Sequence, residues 1–124
     1  MSKRILVVED DPINQKVFVD FLTAHGYRVS VARTGPEGVE KAALIKPDLV
    51  ICDVALPQKS GFEVCFDIKR APETRDVPVI FMSAVCKDEQ SNAYAAVDLR
   101  AQGYFVKPFP MSAMLDRIRD VLAA

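Results

Sequence analysis

At 124 residues, half of them hydrophobic, the chain has the size of one domain (1–124) with a core of its own. No apolar run approaches the ~20 residues that cross a bilayer, and the run Ile5 to Val8 behind Ser2-Lys3-Arg4 is too short for a signal peptide, so neither a membrane nor a secretory role is expected. A net charge of −1 gives no basic field for direct nucleic-acid binding, and the cysteines, Cys52, Cys65 and Cys86, lack metal-ligand spacing, so free thiols in a reducing cytoplasm are expected.

Ile5 to Val8 is a continuous apolar run and predicts a strand buried on both faces. Glu9-Asp10-Asp11 stands at its end. Asp11 before Pro12 predicts a helix start, with Asp as N-cap and Pro at the first helical position. Ile13, Val17, Phe18, Phe21 and Leu22 recur at helical spacing as one apolar face, and Gly26 closes that helix. His25 reads as a last-turn residue that complements the helix dipole. Tyr27 to Ala32 alternates apolar and polar, which predicts a strand at the sheet edge. Thr34 to Glu37 is a capping-box pattern, and the helix it opens stops before Pro47.

Leu49-Val-Ile-Cys-Asp53 is the central strand: four apolar residues running into one carboxylate. A second capping box, Ser60 to Glu63, opens a helix with Val64, Cys65 and Ile68 on its apolar face. Val77 to Met82 predicts the fourth strand, with Pro78 early, where a missing donor costs least. A helix is expected over about 88–99, though its periodicity is poor. Tyr104 to Val106 predicts a short last strand, and Met111, Met114, Leu115, Ile118, Val121 and Leu122 a final amphipathic helix. Five alternations of strand and helix imply an α/β fold with parallel strands and helices on both faces.

In such sheets ligands bind outside the carboxyl ends of the strands. Those ends carry Glu9-Asp10-Asp11, Asp53, Ser83 and Lys107, on four separate strands. Crowded carboxylates suit a divalent cation; Mg2+ takes oxygen ligands and keeps several waters, so Asp10 or Asp11 with Asp53 and a loop carbonyl would suffice. A carboxylate beside such an ion can act as nucleophile toward phosphorus and become an aspartyl phosphate. Lys107 can neutralise a phosphoryl oxygen and Ser83 can donate a hydrogen bond to another.

The set Val8-Glu-Asp-Asp11, Asp48-Leu-Val-Ile-Cys-Asp53 with Leu56-Pro57 and Gly61, Ser83-Ala84, and Tyr104-Phe-Val-Lys-Pro-Phe109 resembles a bacterial response-regulator receiver domain over essentially the whole chain. The resemblance implies a flavodoxin-like sheet of order 2-1-3-4-5. It implies that Asp53 accepts phosphate from a histidine kinase or phosphotransfer protein, with Mg2+ held by Asp10, Asp11, Asp53 and the carbonyl of Ala55. It implies Ser83 as switch hydroxyl, Tyr104 as switch aromatic, Lys107 as phosphate-contacting lysine, and a cis peptide at Lys107-Pro108. The output face toward a downstream protein would be the 88–99 helix, the last strand and the last helix. Such a domain is not an enzyme beyond its own phosphorylation and dephosphorylation. Ala55 and Val85 flank the acceptor and cannot orient a water, so slow loss of phosphate is expected.

Two features depart from the family. From Ser83 to Lys107 the chain is about two residues longer than the family pattern, and the Ala-Gly-Ala-like stretch before the last strand reads Leu99-Arg100-Ala101-Gln102, which removes a glycine stop for the preceding helix. The alternative is a receiver-like binding module that works without phosphorylation. It predicts loss of one of Asp10, Asp11, Asp53, Ser83 or Lys107, and all are present. A haloacid-dehalogenase-like phosphatase would need Asp-x-Asp where Asp53-Val-Ala55 stands. A flavin carrier would need a hydroxyl- or glycine-rich loop where the chain has Glu9-Asp10-Asp11. No output domain follows the last helix, so a complete chain would act by binding another protein or passing phosphate on.

Overall fold

The computed structural model describes residues 2–84 and 99–123. In chain order they form β1 (Arg4–Val8), α1 (Pro12–Ala24), β2 (Arg28–Ala32), α2 (Gly35–Ile45), β3 (Leu49–Asp53), α3 (Gly61–Arg70), β4 (Val79–Ala84), β5 (Gly103–Lys107) and, labelled here α4, the final helix (Met111–Ala123). The sheet order is β2-β1-β3-β4-β5 and every neighbouring pair is parallel, as expected. The helix expected over about 88–99, together with Val85 and Cys86, lies outside the described residues, Leu99 excepted.

Strand alternation builds two cores. Leu6, Val8, Val50, Cys52, Val79 and Phe81 face one layer, packing on Ala42 of α2 and on Val64, Cys65 and Ile68 of α3. Their neighbours Ile5, Val7, Leu49, Ile51, Ile80 and Met82 face the other, on Phe18 and Leu22 of α1 and Met114 and Ile118 of α4. All five residues of β3 are buried, whereas β2 is buried only at Ala32, as an edge strand is. At about 1.5–3 kcal/mol for each large side chain removed from water, this double burial makes β3 a firm base for the group at its end.

The caps follow the sequence. Asp11 accepts the Ile13 N–H, Thr34 the Glu37 N–H and Ser60 the Glu63 N–H. Gly26 ends α1 at φ +91°, a conformation that favours glycine.

Three expectations change. The stripe of α1 that meets the sheet is Gln15, Phe18 and Leu22, at i, i+3 and i+7. Ile13 and Val17 fall outside that stripe and are exposed, at 74% and 47%. β4 begins at Val79 rather than Val77, because pairing with β3 starts at Val50 and Val79; Pro78 precedes the strand and contributes its carbonyl to Val50 N–H at 2.9 Å. And Arg100 itself adopts the left-handed conformation, φ +59°, that the missing glycine would have supplied.

Candidate functional site

β3 ends in Asp53, which is 6% exposed. The chain then turns sharply: Val54 N–H donates to Met82 O at 2.9 Å, and Ala55 N–H donates to Asp53 Oδ1 at 3.1 Å. Gly61 returns close above this turn and donates its N–H to Val54 O at 2.8 Å; a Cβ there would sit 2.3 Å from the Asp53 carbonyl oxygen. The backbone of α3's first turn thus holds the Asp53 end of β3 in place, and only glycine fits.

Lys107, the last residue of β5, reaches Asp53 Oδ2 at 2.7 Å and Glu9 Oε1 at 3.0 Å. Glu9 is 1% exposed. Its Oε2 accepts the Asp11 N–H at 3.1 Å, and Asn14 Nδ2 donates to its Oε1 at 3.4 Å. One carboxylate oxygen each from Glu9, Asp10 and Asp53 lies within 4.8 Å of the others. Burial opposes the Lys107 charge, but hydrogen bonds and charges from Asp53 and Glu9 outweigh it and hold the ammonium above the usual lysine range. Asp10 is held above the usual carboxylate range, first by loss of surrounding water and then by the hydrogen bond and charge of Glu9.

Of the residues expected here, Asp53, Lys107 and Asp10 come together. Asp11 does not join them: its Oδ1 is spent on the Ile13 N–H at the start of α1. Glu9 stands in its place. The sequence carried the signal, because Asp11 before Pro12 is already an N-cap, and Glu9, two steps back at the end of the strand, has no such duty. Ser83 lies in β4 one residue beyond Met82, the partner of Asp53; it is buried, and its Oγ donates to Ala84 O at 3.1 Å. Tyr104 pairs with Phe81 across β4 and β5, and its hydroxyl is buried without a hydrogen-bond partner among the described residues. Ala55 is exposed at the loop start. The Lys107–Pro108 peptide is cis. Beside Lys107 an open groove of about 290 Å3 is lined by Asn14, Val17, Phe18, Pro108, Phe109 and Met111.

The family described as response regulator receiver domain matches residues 5–119. The chain belongs to this family. As a receiver domain it is a signalling module of two-component systems rather than a conventional enzyme. The receiver is 35% identical over 122 residues to the response regulator MprA of Mycobacterium ulcerans, covering 98% of this chain and 51% of that protein, so it spans about half the length of that relative. It resembles the crystal structure of a response regulator from Chloroflexus aurantiacus (TM-score 0.92, 28% identity, all of both chains). It also resembles the receiver domain of a sensor histidine kinase from Pseudomonas aeruginosa (TM-score 0.87, 26% identity, all of both chains), which has a magnesium ion coordinated in its active site cleft. In this receiver the donor set fits such an ion, since three carboxylates converge and every donor is an oxygen. Among the described residues no helix is long and apolar enough to cross a membrane.

Proposed function

We propose that this receiver is a phosphorylation-activated switch of the cytoplasm, in which Asp53 accepts a phosphoryl group from a histidine kinase or histidine phosphotransfer protein. One observation carries the reading: the Asp53 carboxylate sits at a strand end with Lys107 Nζ at 2.7 Å and the oxygens of Glu9 and Asp10 close by. An Asp53 oxygen attacks phosphorus, the new O–P bond forms as the donor's N–P bond breaks, and the electron pair leaves with the donor imidazole. Mg2+, when bound by Glu9, Asp10 and Asp53 with the Ala55 carbonyl as a further ligand, supplies positive charge to the phosphoryl oxygens. Asp11 is left to cap α1.

Lys107 then exchanges its bond to Asp53 for one to a phosphoryl oxygen. Ser83 releases Ala84 O and turns its hydroxyl to another. Tyr104, whose hydroxyl has no described partner to lose, follows Ser83 inward, and the face built from β5 and α4 changes for a downstream protein. Exposed Ile13 and Val17 beside the apolar groove next to Lys107 support docking of the donor on that side.

Intact-mass measurement after incubation with acetyl phosphate tests the assignment. A single phosphate should add with Mg2+ and not with a chelator. Undiminished uptake by Asp53→Ala would overturn it. In the phosphorylated chain, Ser83→Ala and Lys107→Ala should shrink the chemical-shift changes in β5. Wild-type-like changes in either variant would argue against this switch, and no change in β5 on phosphorylation of the parent would favour the phosphate-independent binding module.

A further inference from the structure

At the opposite edge of the sheet, where the strands begin, the charge reverses. Three clefts along that edge are lined together by eight lysines and arginines and only three aspartates. The most concentrated of them has a volume of about 470 Å3 and lies between the end of α3, the connection to β4 and the turn before β5. Among the described residues it is lined by Lys69, Arg75, Asp76, Arg100 and Gln102. Lys69, Arg75 and Arg100 form no ion pair with each other's neighbours or with Asp76 among those residues. Lys69 Nζ donates to Val77 O at 2.8 Å. Its ammonium is held below the usual lysine range, first by burial, with Cys65 and Asp76 acting the other way and the charge of Arg100 adding to the lowering.

Arg100 is the informative member. Its φ of +59° is a conformation that costs any residue with a Cβ and that glycine adopts freely. It stands in the stretch Leu99-Arg100-Ala101-Gln102, which leads directly into β5. The turn is fastened from below: Gln102 N–H donates to Val79 O at 2.8 Å, Gln102 Oε1 accepts Val79 N–H at 2.9 Å, and Arg117 Nη1 donates to Gln102 O at 3.1 Å. A strained backbone held this firmly, and bearing a guanidinium rather than a hydrogen, marks a position where the side chain outweighs the conformational cost.

We propose that this cleft is a binding site for a di- or triphosphate group. Its volume is in the range of small-ligand sites, about 300–1,000 Å3. No aliphatic or aromatic side chain lines it among the described residues, so the recognised part of the ligand is its charge. Two guanidinium forks pair with phosphate oxygens in two-pronged fashion, and Lys69 adds a point charge. A monovalent anion leaves most of these cations unanswered, whereas adjacent phosphates reach several at once. Free inorganic polyphosphate and the tail of a nucleotide share this chemistry.

Titration of the isotope-labelled chain with inorganic triphosphate tests the site. Saturable amide shifts are expected around Lys69, Arg75 and Arg100 and not around Asp53, with orthophosphate and sulfate at matched ionic strength giving no saturation. Arg100→Gly should weaken binding at least tenfold without lowering the unfolding temperature, since glycine suits that backbone. Arg75→Gln should weaken binding with the fold intact. Adenosine triphosphate of equal affinity assigns recognition to the tail, and a tighter fit of one of the two names the source. Absence of saturable shifts, equal response to sulfate, or wild-type affinity in Arg100→Gly would overturn the proposal.

Discussion

Replacing Lys107 by methionine keeps the apolar stem and removes the ammonium that lies 2.7 Å from Asp53 and 3.0 Å from Glu9. Two carboxylates, 8% and 1% exposed at their side chains, then face each other without that cation. Removing one partner of a buried pair costs about 3–5 kcal/mol. The Lys107 side chain is 26% exposed, so water takes up part of the loss, and the lower figure of about 2–3 kcal/mol applies. For a domain of this size that is a fall in unfolding temperature on the order of 10 °C.

The loss should be largest in chelator. Mg2+ should restore more stability to Lys107→Met than to the parent, because binding to the folded state alone stabilises it and the variant has no competing ammonium. The alkaline dependence has a definite sign. Lys107 is held above the ordinary lysine value of about 10.4, so its contribution is full below that value and disappears as pH rises through the raised one. Urea unfolding of both proteins, with chelator and with Mg2+, measures all of this. A variant within about 0.5 kcal/mol of the parent in chelator, or equal stabilisation of both by Mg2+, would refute the reasoning.

Asp11→Ala should cost about 1 kcal/mol through the lost α1 cap while leaving divalent-ion affinity near that of the parent, whereas Asp10→Asn should weaken the ion with little change in stability; unfolding and ion titration separate the two. Gly61→Ala forces a Cβ against the Asp53 carbonyl and threatens the 2.8 Å bond to Val54, so a loss of about 2–4 kcal/mol in urea unfolding is expected, together with slower phosphate uptake. Burial pushes the Cys65 thiol up to about 11 and Cys52 well above the usual thiol range, so peptide mass mapping after alkylation at neutral pH should find both unmodified in the folded chain and modified in urea.

The fold was legible because its signals are local. Continuous apolar runs marked the buried strands, alternation marked β2 as the edge, and Asp11, Thr34 and Ser60 announced the starts of three helices. The positions of Asp53, Lys107 and Ser83 followed from strand polarity alone. What escaped was set by register and by competition for single atoms. Ile13 and Val17 match the helical period as well as Phe18 does, and only the contact of α1 with the sheet decides which side is covered. Glu9 and Asp11 are equally acidic, and only the commitment of Asp11 Oδ1 to a backbone N–H tells them apart. Arg100 shows the same limit: a glycine-like conformation without glycine is imposed by the anchoring of Gln102 to Val79, which composition does not reveal.

Glu9 and Asp10 are adjacent in sequence and opposite in exposure. Glu9 is fixed by a backbone N–H, an amide and an ammonium before any ion arrives, and Asp53 is fixed likewise by Ala55 and Lys107. Asp10 is exposed. An arriving cation therefore orders one short side chain, and little rotamer entropy is lost on capture. The same arm is the one that must swing away for the ion to leave, so the site should exchange its ion quickly and refill between successive rounds of signalling.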